Sequence, residues 1–118
     1  MTILVRNQSG IAANTAGAAI PLYNRDPVFV ANNLLTTIYA WTDPTSIPAG
    51  AWSGASIQIY ISPQLKGPWP TIWFPIGSPM TTNGYFSFQQ RWSQIKAEVS
   101  GATSGTSSLY AAIFDGYF

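Results

Sequence analysis

The side chains able to move protons or hold metals are few and scattered: Asp26, Asp43, Glu98, Asp115, Lys66 and Lys96, in a chain without histidine or cysteine. A hydrolytic triad needs a base beside its nucleophile, most often an imidazole, and none exists here. A Ser–Lys dyad would have to use Lys66 or Lys96. Lys96 stands two residues before Glu98 on the polar side of an alternating segment, which reads as a solvated ion. Zinc favours thiolate and imidazole ligands, so it is excluded. Calcium needs several converging oxygens, and the four acids form no Asp-x-Asp loop. Glycoside hydrolysis needs two carboxylates across a cleft, and nothing in the spacing selects a pair. No phosphate-binding glycine pattern occurs. Asp43, before Pro44, reads as a turn cap. The expectation is a protein that is not an enzyme and takes no cofactor.

Composition narrows the class further. The chain is 47% hydrophobic, which is ordinary, but only 8% charged, where about 25% is usual. Its five basic residues make no patch of the kind that nucleic acid requires, and the net charge is +1. No apolar run approaches the ~18 residues of a membrane-crossing helix. Met1–Gln8 lacks the basic and apolar regions of a secretory leader, so a soluble, unexported protein is expected and the acceptor triplet Asn7-Gln8-Ser9 is read as chance. A length of 118 residues fits one domain with one core. A surface so poor in charge suits a protein that spends its life covered by others.

The elements that must position any site are strands. Ile57, Ile59 and Ile61 alternate with Ser56, Gln58 and Tyr60. Ile95, Ala97 and Val99 alternate with Gln94, Lys96 and Glu98, and Leu109, Ala111 and Ile113 repeat the pattern. Trp92, Ile95, Lys96 and Val99 also fit helical spacing, but β-branched Val99 before a Ser/Gly loop favours a strand. Leu34–Trp41 is a fourth clear strand. Thr2–Arg6, Pro27–Val30, Thr71–Phe74 and Gly84–Phe88 are weaker candidates. Turns are expected at Asp43–Gly50, Pro63–Pro70, Gly77–Pro79 and Gly101–Gly105, with a hairpin at Asn83-Gly84. The reading is all-β: a single antiparallel β-sandwich or jelly-roll-like domain of about eight short strands, spanning 1–118. Residues 8–20 read as an extended N-terminal arm or long loop, and 114–118 as an aromatic tail.

Five Trp, six Tyr and six Phe are the remaining resource. Residues 68–75 hold three large rings and three prolines in the order Pro-Trp-Pro-Thr-Ile-Trp-Phe-Pro. Trp73 or Phe74 is expected in the core, because alternating positions cannot all face out. Trp69, with a proline on each side, is the expected exposed anchor, since interface hot spots favour such rings. Tyr117 and Phe118 follow Gly116 as a second docking element. Ile11, Ile20 and Tyr23, in and after the arm, complete the expected protein interface with Trp69, Trp73 and Phe74.

Several stretches carry a resemblance. They are Ile59-Tyr60-Ile61-Ser62-Pro63, Gly67-Pro68-Trp69, Ile76-Gly77-Ser78-Pro79-Met80-Thr81-Thr82-Asn83-Gly84, and Ile95-Lys96-Ala97-Glu98-Val99-Ser100-Gly101-Ala102-Thr103-Ser104-Gly105. Across roughly residues 55 to 114 the chain resembles small virion and prophage proteins of tailed bacteriophages. In those, a strand ending in Ile/Val-Ser-Pro leads through a Gly/Trp turn to Gly-Ser-x-x-Thr-x-Asn/Asp-Gly, and a Val-Ser-Gly-x-Thr-Gly loop follows a later strand. The resemblance implies a non-enzymatic phage structural protein, made in the host cytoplasm and carried on the capsid surface. Such a cement or decoration protein would bind the major capsid protein and stabilise contacts between shell subunits, as a trimer or dimer. The alternatives are a neck, tail or fibre component, or a carbohydrate-binding module for host recognition using Trp41, Trp52, Trp69, Tyr60 and Tyr110.

Overall fold

A computed structural model describes residues 2–7, 15–21, 36–63 and 70–114. Strands are the regular elements found among them: β1 (Thr2–Asn7), β2 (Thr15–Ala16), β3 (Ile20–Pro21), β4 (Thr36–Thr42), β5 (Ser56–Ser62), β6 (Phe74–Met80), β7 (Gly84–Phe88), β8 (Gln94–Ser100) and β9 (Leu109–Phe114). One sheet has the order β1-β9-β4-β7. The other runs β2-β8-β5-β6, with β3 also paired to β8. Because β2 and β3 lie along the same edge of β8, they act as one interrupted edge strand. Every pairing is antiparallel.

The pairs β1 with β9, β2/β3 with β8, β4 with β7 and β5 with β6 are four rungs of a single rolled hairpin, falling alternately in the two sheets. That is the jelly-roll order, and it makes the molecule a β-sandwich. Alternation decides what lies between the sheets. Ile38, Ala40, Leu109, Ala111 and Ile113 from one sheet meet Ile57, Ile59, Ile61, Ile95, Ala97 and Val99 from the other, all buried. The clear alternating segments are therefore strands, Gln94–Ser100 among them. Each fully buried Ile or Leu contributes about 1.5–3 kcal/mol of transfer free energy. Trp92 plugs one end of this core and donates its indole N–H to the Thr36 hydroxyl at 3.0 Å. The backbone of 15–21, most of it within the expected arm, lies against β8. There a Cβ on Gly17 would collide with the Leu4 carbonyl oxygen, and Gly17 N donates to Ala97 O at 2.8 Å.

Three local expectations are corrected. First, Asn83-Gly84 is not a hairpin: β6 and β7 lie in different sheets, so the turn is a crossover between layers. Second, Gly77–Pro79 is not a turn but part of β6, and the expected strand Thr71–Phe74 is displaced, since Phe74 begins β6 rather than ending a strand. An edge strand tolerates Pro75 and Pro79, whose missing N–H groups can face away from β5. The register slips between Ile57↔Met80 and Ile59↔Ile76, with Gly77 at φ +71°. The Gln58 amide fills this bulge, donating to Ile59 O, Ile76 O and Gly77 O at 3.0, 3.2 and 3.3 Å. Third, neither Trp73 nor Phe74 is in the core. Phe74 pairs with Ile61 on the inner side, but at the open mouth of an edge strand, and is 52% exposed. Trp73 is half-buried on the outside. The strand candidate Pro27–Val30 lies outside the described residues.

The roll sorts the connections by end. Residues 43–55, 81–83 and 101–108 join strands at one pole. At the opposite pole lie 89–93, Pro21, Thr36, Ser62, Phe74 and Phe114.

Candidate docking surfaces

Alternation that sends small and aliphatic residues inward on β4 and β9 sends aromatics outward. Trp41 on β4 is opposite Tyr110 on β9, which is opposite Arg6 on β1. The Trp41 and Tyr110 rings stack at 5.4 Å with planes 15° apart, and the Arg6 guanidinium lies 5.6 Å from the Tyr110 centroid. The next row is Ile3, Ala112, Tyr39 and Tyr85, running across all four strands. Tyr39 and Tyr85 sit 5.2 Å apart, 31° between planes, and are 39% and 67% exposed. Beneath these rings Ala112 is fully buried although it faces outward. Below them Thr37 and Ser87 share a 2.8 Å hydroxyl hydrogen bond. Arg6 is the charged side chain in this face among the described residues.

Sequence reasoning did not single out Tyr39, Tyr85 or Arg6. A signal existed, since Tyr39 and Trp41 share the phase opposite Ile38 and Ala40. What was missing was the order β1-β9-β4-β7, which sets segments far apart in sequence side by side.

On the outer face of the other sheet, Trp73 of the same chain lies against Lys96. The Lys96 ammonium lies 4.6 Å from the Trp73 ring and 5.6 Å from Tyr60, and 3.2 Å from Glu98 Oε1. Trp73, expected to be an interface residue, therefore caps an internal cation. Phe74 instead borders a groove of about 550 Å³ at the β6 edge, with Ile61, Pro63, Ile76, Gln90 and Arg91. Trp69, Tyr117, Phe118, Ile11 and Tyr23 lie outside the described residues, and of Ile20 the structure gives backbone pairing with Ile95. The described residues of the carbohydrate platform do not come together as one surface. Trp41 and Tyr110 stack on one sheet, Tyr60 lies under Lys96 on the other, and Trp52 is at the loop pole, donating to Asn83 Oδ1 at 2.8 Å.

The loop pole is braced by a set of hydrogen bonds. Ser107, fully buried, donates its hydroxyl to Pro48 O at 2.7 Å and its N–H to Ala51 O at 2.7 Å. Thr106, also buried, donates to Trp52 O, and Ser53 donates to Gly105 O at 2.7 Å. Ser46 donates to Asp43 O and Pro48 O. Asp43 Oδ1 accepts from the Thr45 hydroxyl at 2.7 Å and the Thr45 N–H at 2.8 Å, closing the expected turn cap. These two bonds hold the Asp43 carboxyl below its ordinary pKa, with a smaller push from Arg6. The braced loop presents Ile47, 87% exposed. Among the described residues no three His, Cys, Asp or Glu side chains gather in a way that could hold a metal.

No protein-family model, curated protein or solved structure matches the chain.

Proposed function

We propose that the chain is a non-enzymatic structural protein of a tailed-phage virion, binding the capsid exterior and stabilising contacts between major capsid protein subunits. The observation that carries this reading is the outer face of the first sheet. There Trp41, Tyr110, Tyr39 and Tyr85 form an aromatic surface whose one charge among the described residues is Arg6. Rings of this kind supply most of the energy of protein interfaces, because they bury large area at small entropic cost. Apolar area is worth about 25 cal/mol per Å² when covered. A shell repeats the same contact many times, so modest individual affinities add up. The jelly roll supplies a rigid plate behind the face, and the low charge suits permanent burial.

The test is the copy number of this protein relative to the major shell protein in purified particles, by quantitative mass spectrometry. A ratio near one, or a simple fraction of it, supports the cement role. A handful of copies moves the protein to neck, tail or fibre, and absence from the particle overturns the virion reading.

A carbohydrate-binding module is the second reading, favoured by the exposed Tyr39–Tyr85 pair alone. Sugars stack on open ring faces, and Tyr110 already has Trp41 and Arg6 against it. Saccharide binding lost in Tyr85→Ala, with particle attachment intact, would select it.

A further inference from the structure

We infer that copies of this chain associate head to tail, the Ile47 loop of one seated in the Phe74 groove of the next. Four observations converge. Ile47 is 87% exposed at the tip of a loop whose backbone is fixed by Ser46, Ser107 and Asp43. A bare aliphatic side chain on a mobile loop would mean little. Held in place by the buried Ser107 hydroxyl and the half-buried Ser46 hydroxyl, it is a pre-organised knob, which lowers the entropy cost of insertion. The groove is its counterpart: Ile61, Phe74 and Ile76 give an apolar floor, and Phe74 is 52% exposed there.

The charges agree as well. Residues 43–55 carry one charged side chain, Asp43, and the described lining of the groove also carries one, Arg91. The Thr45 hydrogen bonds favour the ionised form of Asp43. Position completes the argument. Knob and groove lie at opposite poles of the roll, so one copy cannot satisfy both itself, and the contact is heterologous. Such contacts close into rings or run on as chains. This inference does not rest on the virion reading, and the aromatic sheet face takes no part in it.

The test uses the full chain in sedimentation and light scattering up to millimolar concentration, with circular dichroism on each variant. Wild type is expected to self-associate. Ile47→Asp and Phe74→Asp are each expected to be monomeric alone, yet to form 1:1 heterodimers when mixed, because one keeps a groove and the other a knob. Arg91→Glu serves as the groove variant if Phe74→Asp does not fold, and is expected to weaken association at least tenfold. A monomeric wild type overturns the inference. So does association unchanged by Ile47→Asp, or a mixture that yields no heterodimer, which would indicate a symmetric contact elsewhere.

Discussion

Asn83 and Trp52, 31 residues apart, are joined by a 2.8 Å hydrogen bond from the indole N–H to the amide oxygen. The same oxygen accepts from Thr42 N at 3.0 Å and from the Thr42 hydroxyl at 3.3 Å. A single side chain in the β6–β7 crossover thereby ties the end of β4 to the long loop that follows it. The role of Asn83 is thus an acceptor's, and its tolerance of positive φ is not used.

Asn83→Ala should remove all three bonds and leave the Thr42 N–H without its acceptor. A net loss of about 1–3 kcal/mol is expected, from the cost of an orphaned donor. Denaturant unfolding measures it, and Trp52 fluorescence should shift in the folded variant.

Ile59 and Ile47 differ in burial, not in chemistry. Ile59→Ala, between the two sheets, should cost about 2–5 kcal/mol, whereas Ile47→Ala should stay within about 0.5 kcal/mol. Equal costs in urea unfolding would contradict the assignment of inner and outer positions.

Gly17→Ala is expected to detach the backbone of 15–21 from β8, because the added methyl meets the Leu4 carbonyl rather than a movable side chain. Amide exchange should then accelerate at Gly17, whose N–H bonds Ala97 O, while exchange at Ile59 and Ile113 stays slow.

The Asp43 cap fixes the sign of a pH effect. The folded carboxyl titrates below its ordinary value near 3.8, so its stabilising contribution is present above that value and fades as pH falls through the folded pKa. Wild type should exceed Asp43→Asn in melting temperature at neutral pH, and the gap should narrow on acidification below 3.8. A gap that widens in acid would refute the cap.

Tyr85→Ala and Trp41→Ala probe the aromatic face. Tyr85 is 67% exposed, so its loss should change stability by less than about 0.5 kcal/mol. Under the proposed function both variants should lose at least tenfold in affinity for emptied shells, measured by co-sedimentation.

The inner faces were legible in the amino-acid order because burial between two sheets imposes a period of two. Ile57, Ile59 and Ile61, or Leu109, Ala111 and Ile113, can face one core only as strands. That same order also fixed the scarcity of charge and the lack of imidazole and thiol, and with them the classes of chemistry in reach. The pairing of strands was not written there. In the described chain β5 and β6 are the successive strands that pair with each other, across the 63–73 connection, and the other ladders join distant segments. Local signals such as Asn83-Gly84 describe a bend, not which layer the next strand enters. For that reason the tertiary structure alone brought Trp41 to Tyr110 and Tyr39 to Tyr85. It also set Trp73 over Lys96 and left Phe74 at an open edge, since an edge exists only once the order of the sheet is known.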